Sequence, residues 1–270
     1  MPELVEVETT RRDLSKIITG EKIYDVKVLL DKIVYNKKEE FINRITSSEI
    51  LSVKRRGKWL LFELNDDYLI IHFRMEGRFY LKRIDDVIEK HDYVIFCFKD
   101  FSLHYNDPRL FGKMEIVKKD EIDNFFKQKK LGLEYDDLQL TKKYLKEKLK
   151  SKKSNIKSAL LDQSIITGIG NIYADEILFE SMVHPKSICN KLSLIKLQSI
   201  IDNTKKVFEK ALSFKGTYPN IDGTRGSFEN HLMVHLRKNE PCYKCKNLIT
   251  KEQIGGRGTY FCSCCQKIYK

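Results

Sequence analysis

The sequence contains no apolar run approaching the ~20 residues that a membrane-spanning helix needs. Its start lacks the basic-then-apolar layout of a secretory signal. No internal repeat or low-complexity tract interrupts it, and only 5 prolines occur among 270 residues. These absences exclude repeat arrays, fibrous chains and membrane helices, and they leave a globular protein expected in the cytoplasm. Cysteine is sparse as well: seven residues, of which Cys97 and Cys189 stand alone. That usage fits a reducing compartment better than a disulfide framework.

What is present is positive charge. Fifty Lys+Arg against 38 Asp+Glu leave a net +12. Such a balance favours a polyanionic partner, nucleic acid before membrane, although a lysine-rich proteome alone would produce much of the excess. A chain of this length can bury sizeable cores and suggests two domains with a small appendage.

The remaining cysteines carry the strongest local signal. Cys242-x-x-Cys245 and Cys262-x-x-Cys265 are separated by the sixteen residues 246–261. Two knuckles at that separation supply four thiolates, which is what one tetrahedral Zn2+ requires. Cys264 is a spare thiol that could replace Cys265 only by shortening the knuckle to one residue. Between the pairs, Gly255-Gly256-Arg257-Gly258-Thr259 reads as the tip of a two-stranded zinc ribbon presenting Arg257 to something anionic. A purely structural staple is compatible with the same residues.

The rest of the chain predicts an α+β protein. Leu4, Val7, Leu14, Ile17 and Ile18 share one face of a helix over 3–18 that stops at Gly20. From Lys22 to Val117, short β-branched and aromatic runs alternate with turn material such as Asn65-Asp66-Asp67. They predict a sandwich of two antiparallel sheets with one helical insertion at 38–47. Beyond Asp120 the periodicity is helical, with helices expected at 144–150, 155–164, 172–181 and 193–213. A Gly/Pro/Asp-rich stretch, 215–226, then leads to the ribbon.

Chemistry is concentrated at the start. Cytoplasmic processing removes an initiator Met before a small residue, which would leave Pro2 as a free secondary amine ahead of a helix. The positive end of the helix dipole favours the neutral, nucleophilic form of such an amine. Attack on an aldehydic carbon would give an iminium, and the adjacent Glu3 could pass protons. Taken alone, Pro in this place is simply a good helix starter.

Pro2-Glu3-Leu4 and Glu6-Val7-Glu8-Thr9 resemble the start of bacterial formamidopyrimidine-DNA glycosylases. The similarity continues in the family's order through Arg56-Gly57-Lys58, His72-Phe73-Arg74-Met75-Glu76-Gly77, Lys90-His91-Asp92 and Asp107-Pro108-Arg109-Leu110-Phe111-Gly112. It extends through Leu160-Leu161-Asp162-Gln163, Gly168-Ile169-Gly170-Asn171-Ile172-Tyr173-Ala174-Asp175-Glu176, His184-Pro185 and the ribbon. The resemblance implies a catalytic β-sandwich domain at 1–130, a helix–two-turns–helix domain at 131–234 and a zinc finger at 235–270. It implies a monomeric base-excision glycosylase and abasic-site lyase, acting on duplex DNA with oxidised purines or abasic sites, in the cytoplasm and on the nucleoid. Pro2 would be the nucleophile and Glu3 its acid–base partner. Lys58, otherwise one more cation beside Lys54, Arg55 and Arg56, would assist β-elimination, and Arg257 δ-elimination. Met75, Arg109 and Phe111 would fill the gap left by the flipped base, from what read as exposed hairpin turns. His91, Lys152 and Asn171 would contact phosphate.

One segment departs from the family pattern. The stretch 216–226 reads as shortened between Thr217 and Asp222, where relatives close over extruded 8-oxoguanine. Retained formamidopyrimidine and abasic-site activity with blunter 8-oxoguanine preference is the expectation. Two competitors remain: the sister group that removes oxidised pyrimidines, and a non-catalytic zinc-ribbon DNA binder.

Overall fold

A computed structural model describes residues 2–270 and divides into two compact units, each considered by itself. Met1, and with it the expected removal of that residue, lies outside the described residues. The first unit runs to Lys129 and also contains Lys215–Gly226. It opens with α1 (Leu4–Ile18), whose Val7, Leu14 and Ile18 are buried in the main apolar cluster. Glu6 Oε2 accepts the Glu3 backbone N–H at 2.9 Å, one arm of a capping box that satisfies an orphan donor of the first turn. Glu8, buried on the same helix, receives Arg11, Arg12 and, across to the sheet, Arg55.

Eight strands follow, with α2 (Lys38–Ile45) inserted after the first. β1 (Asp25–Val28), β6 (Asp92–Cys97), β7 (Phe101–Asn106) and β5 (Arg78–Arg83) form one antiparallel sheet in that order. β2 (Ser52–Arg56), β3 (Trp59–Glu63), β4 (Asp67–His72) and β8 (Lys113–Lys118) form the other. Side chains from both sheets meet in one core, including Leu60, Phe62, Phe79, Phe96, Leu103 and Met114. Period-two alternation within each strand places these residues on the inner faces. The short helix α3 (Ile122–Lys129) covers Trp59 and Tyr68 with Phe125 and Phe126.

The segments read as exposed hairpin turns are something else. Residues 73–77 join β4 to β5, and 107–112 join β7 to β8, so each carries the chain from one sheet to the other. Alternation identifies a strand but not its partner, and this correction was invisible to it. Both connections converge on one phenol. A Cβ on Gly77 would lie 2.2 Å, and one on Gly112 1.6 Å, from the Tyr105 hydroxyl oxygen. Only glycine fits at either place.

The second unit comprises Lys130–Phe214 and Ser227–Lys270. Its helices are α4 (Lys142–Leu149), α5 (Ile156–Leu161), α6 (Asn171–Glu180) and α7 (Leu194–Ser213). Thr141, Asn155 and Ser193 cap three of them by accepting a backbone N–H three residues on. The ribbon is β9 (Thr250–Ile254) paired with β10 (Arg257–Phe261). Its tight turn uses Gly255 and Gly256, both at positive φ (59° and 74°), which suits a two-residue hairpin. No helix among the described residues is long and apolar enough to cross a membrane.

Candidate active site and zinc centre

Pro2 is buried and immediately precedes Glu3, the extended N-cap residue of α1, whose own exposure is only 1%. Pro2 shares a small cavity with Glu6, Thr9, Phe73, Arg78, Tyr218 and Asn220. Glu6, the other carboxylate of the first turn, is anchored from two sides. Its Oε1 accepts the Thr217 backbone N–H and hydroxyl at 3.2 Å each, while Oε2 holds Glu3. Sequence reasoning gave Glu6 no role, and a pairing across 211 residues leaves no local trace.

Lys58 lies half-buried in the two-residue turn Gly57–Lys58 between β2 and β3. Its charge reaches His72, the cross-strand partner of Trp59, whose rings meet edge-on at 4.6 Å. Burial first, then the Arg74 and Lys58 charges, lower the His72 pKa to about 3. The neutral ring uses Nδ1 to accept the Arg74 N–H at 3.0 Å, bracing the connection that carries Met75.

Met75, Arg109 and Phe111, the residues expected to fill the duplex gap, gather on the two sheet-to-sheet connections. Arg109 reaches Glu76 at 3.8 Å and lies 5.1 Å over the ring of Phe111, which is 48% exposed. Asp107, fully buried, accepts the Arg109 and Gly112 N–H groups and so shapes that loop. Its own N–H donates to the His91 carbonyl at 3.0 Å. His91 is partly buried, with Nδ1 3.1 Å from the Tyr93 hydroxyl. Behind it, burial pushes the Asp92 carboxyl up, but hydrogen bonds from Asn106, His104, the Glu89 N–H and Lys82 outweigh that and hold it at about 2. Motif reading quoted Asp92 without giving it a role and passed over His104.

In the helical unit, Asn171 is the first residue of α6 behind Gly170. Gln163 frames the preceding turn, accepting the Gly168 N–H at 2.8 Å and donating to the Ile169 carbonyl at 2.9 Å. An Asn171 amide hydrogen goes to the Gly258 carbonyl at 3.0 Å, so this residue also ties α6 to the hairpin bearing Arg257. Arg257 itself is exposed at the hairpin tip. Lys152, half-exposed, pairs with Asp162 at 3.2 Å. Beneath these groups lies a wholly buried network unforeseen from sequence. Lys157 Nζ contacts Asp175 Oδ1 at 2.7 Å and Thr259 Oγ1 at 2.8 Å, and Asp175 Oδ2 receives His235 Nδ1 at 2.7 Å. Glu176 accepts three successive N–H groups, of Met233, Val234 and His235.

The four sulfurs of Cys242, Cys245, Cys262 and Cys265 lie within 4.8 Å of one another, with Cys245–Cys262 at 3.4 Å and Cys242–Cys265 at 3.9 Å. Zinc–thiolate bonds of ~2.3 Å arranged tetrahedrally put sulfurs ~3.8 Å apart, so the cluster fits one structural zinc. Cys264 is exposed and outside this group.

Comparison with known proteins agrees along the whole chain. Residues 1–114 match the N-terminal domain of formamidopyrimidine-DNA glycosylase, 131–221 its H2TH domain, and 239–268 the zinc finger found in FPG and IleRS. The formamidopyrimidine-DNA glycosylase of Bacillus cereus is 41% identical over 98% of this chain and 99% of its own length. That of Bacillus licheniformis is 42% identical over 99% and 100%. A wild-type Lactococcus lactis Fpg (MutM), solved in complex with DNA containing an oxidised pyrimidine, superposes with TM-score 0.95 at 37% identity, over 98% of this chain and 100% of that one. The same Lactococcus protein bound to abasic-site DNA superposes equally well, with TM-score 0.95 at 36% identity over 98% and 99% of the two chains. Neither the sister group for oxidised pyrimidines nor a non-catalytic binder is favoured by relatives carrying that name. With sandwich, helical unit and four-cysteine ribbon all matched in order, the chain belongs to the formamidopyrimidine-DNA glycosylase family.

Proposed function

We propose that this protein excises formamidopyrimidine lesions from duplex DNA and cuts the strand at the resulting abasic site, with Pro2 as nucleophile. The observation that carries this reading is the buried placement of Pro2, beside a cavity and directly before the N-cap of α1. Attack of the Pro2 nitrogen on sugar C1′ breaks the bond to the base, which leaves with a proton; the C1′–O4′ bond then opens as O4′ takes up the proton lost from the Pro2 nitrogen, and an iminium links protein and sugar. Glu3, buried next to it, holds and returns the protons that this exchange requires. Loss of a proton from C2′ then expels the 3′ phosphate, assisted by Lys58, and a second elimination releases the 5′ phosphate gripped by Arg257.

Met75, Arg109 and Phe111 occupy the gap in the duplex, a role suited to a thioether, a guanidinium and an aromatic ring. His91, Lys152 and the α6 N-terminus at Asn171 hold phosphates without reading sequence. Zinc, bound by the four thiolates, supplies structural rigidity to the Arg257 hairpin. The division into a catalytic sandwich (1–130), a helix–two-turns–helix domain (131–234) and a zinc finger (235–270) follows this assignment of labour. A monomer working in the cytoplasm on nucleoid DNA completes the proposal. The shortened segment at 216–226 supports retained formamidopyrimidine and abasic-site activity with a blunter preference for 8-oxoguanine.

Borohydride reduction tests the central step. The mature enzyme should become covalently trapped on abasic-site duplex, and Pro2→Gly should abolish trapping while salt-sensitive DNA binding persists. Undiminished trapping by Pro2→Gly would remove Pro2 from its role.

A further inference from the structure

Departure of a base from C1′ requires room beside the amine that attacks C1′. The cavity touching Pro2 has about 10 Å³ of free space, enough for one water and far too little for a purine. What fills it is the strap formed by Lys215–Gly226. This segment is fastened at three places within its own unit. Thr217 donates twice to Glu6, the Leu81 N–H donates to the Ile221 carbonyl at 3.0 Å, and Ile221 itself is 4% exposed within the sandwich core. The Tyr218 hydroxyl provides the third tie, donating at 3.0 Å to the backbone carbonyl of Met75. Cross-strap bonds from Asn220 N–H to the Thr224 carbonyl and from Gly226 N–H to the Tyr218 carbonyl stiffen it further.

The third tie joins two parts with different tasks. Met75 sits on the connection assigned to the duplex gap, whereas Tyr218 walls the space where the extruded base must go. Displacing the Met75 connection breaks the bond that keeps Tyr218 in place. Arg78 stands in the same wall, with its guanidinium 5.9 Å over the Tyr218 ring and its buried Nε without a hydrogen-bond partner. A base carbonyl entering the opened space would meet that donor.

We propose that Tyr218 is a specificity-determining residue, a latch that admits a base beside Pro2 only after the Met75 connection has moved into the duplex. An abasic sugar has no base to house and is processed with the strap closed. The idea rests on the reading of Pro2 as nucleophile given above.

Tyr218→Phe removes the hydroxyl and keeps the ring. The readout is the ratio of two single-turnover rates, formamidopyrimidine excision over abasic-site cleavage, so that effects common to both substrates cancel. One hydrogen bond released from the closed state should raise this ratio about two- to tenfold. Ile221→Ala, which loosens the sheet anchor without touching the latch, should raise it in the same direction. A ratio unchanged or lowered in Tyr218→Phe overturns the latch even when borohydride still traps the variant on abasic DNA. Failure of the wild-type protein to trap at all would instead remove the nucleophile reading, and the latch with it.

Discussion

The two units hold their candidate functional residues by opposite means. In the sandwich, the connections bearing Met75, Arg109 and Phe111 are seated on apolar packing and on backbone groups gathered by neutral or singly charged side chains. In the helical unit, the hairpin bearing Arg257 and the α6 terminus bearing Asn171 are joined through buried ions and four thiolates. The first arrangement gains from burial of carbon and tolerates small shifts. The second is costly to assemble and costly to break, because a fully buried charge deprived of its partner has no solvent to turn to.

Removing one buried ion should therefore have the largest effect. Asp175→Ala leaves Lys157 and His235 without their shared carboxylate, and the expected loss is about 3–5 kcal/mol in urea unfolding. A change confined to the ordinary range of surface substitutions would show that the network is incidental. In the sandwich the equivalent break is steric. Gly112→Ala forces a methyl against the Tyr105 hydroxyl, and over-packing of this kind costs about 1–3 kcal/mol. That variant should also lose excision activity out of proportion to stability, since the displaced backbone carries Phe111. Equal activity at equal folded fraction would count against the role given to the connection.

The smallest effect sharpens the comparison through pH. His72 has a folded pKa of about 3 against an ordinary 6.5, so only the unfolded chain takes up its proton between those values. Its contribution is complete above pH ~6.5 and falls away as pH drops towards 3. Asp92, held at about 2, acts only below its ordinary 3.8. His72→Asn keeps an acceptor for the Arg74 N–H but cannot titrate. Between pH 6.5 and 4.5 its stability should decline with a slope smaller by about one proton than that of the parent, measured by denaturant midpoints. Parallel slopes would exclude His72 as the titrating group.

Much of this was readable in the sequence because the relevant signals are local. Strand alternation, helix caps such as Thr141 and Asn155, and the spacing of Cys242, Cys245, Cys262 and Cys265 each depend on neighbours within a few residues. Sheet membership does not. The 73–77 and 107–112 connections read as hairpin turns because nothing in Tyr68–Leu81 says that β4 and β5 part company. The same limit hid Glu6 with Thr217, Tyr218 with Met75, and Lys157 with Asp175. In each case two unremarkable side chains acquire meaning only when the chain returns from far away. Lys157 in particular reads as one more cation in a lysine-rich stretch, and its complete burial follows from partners on α6 and β10.

The shared footing on Tyr105 restricts both connections. One phenol stands closest to where a side chain would begin at both Gly77 and Gly112, so the three positions constrain one another. Exchanging this tyrosine for something shorter would relieve the tightest approach at both places, yet a Cβ at Gly77 would still meet the Phe73 carbonyl at 2.8 Å and one at Gly112 the Asp107 carboxylate at 2.9 Å, so both connections stay closed to larger side chains.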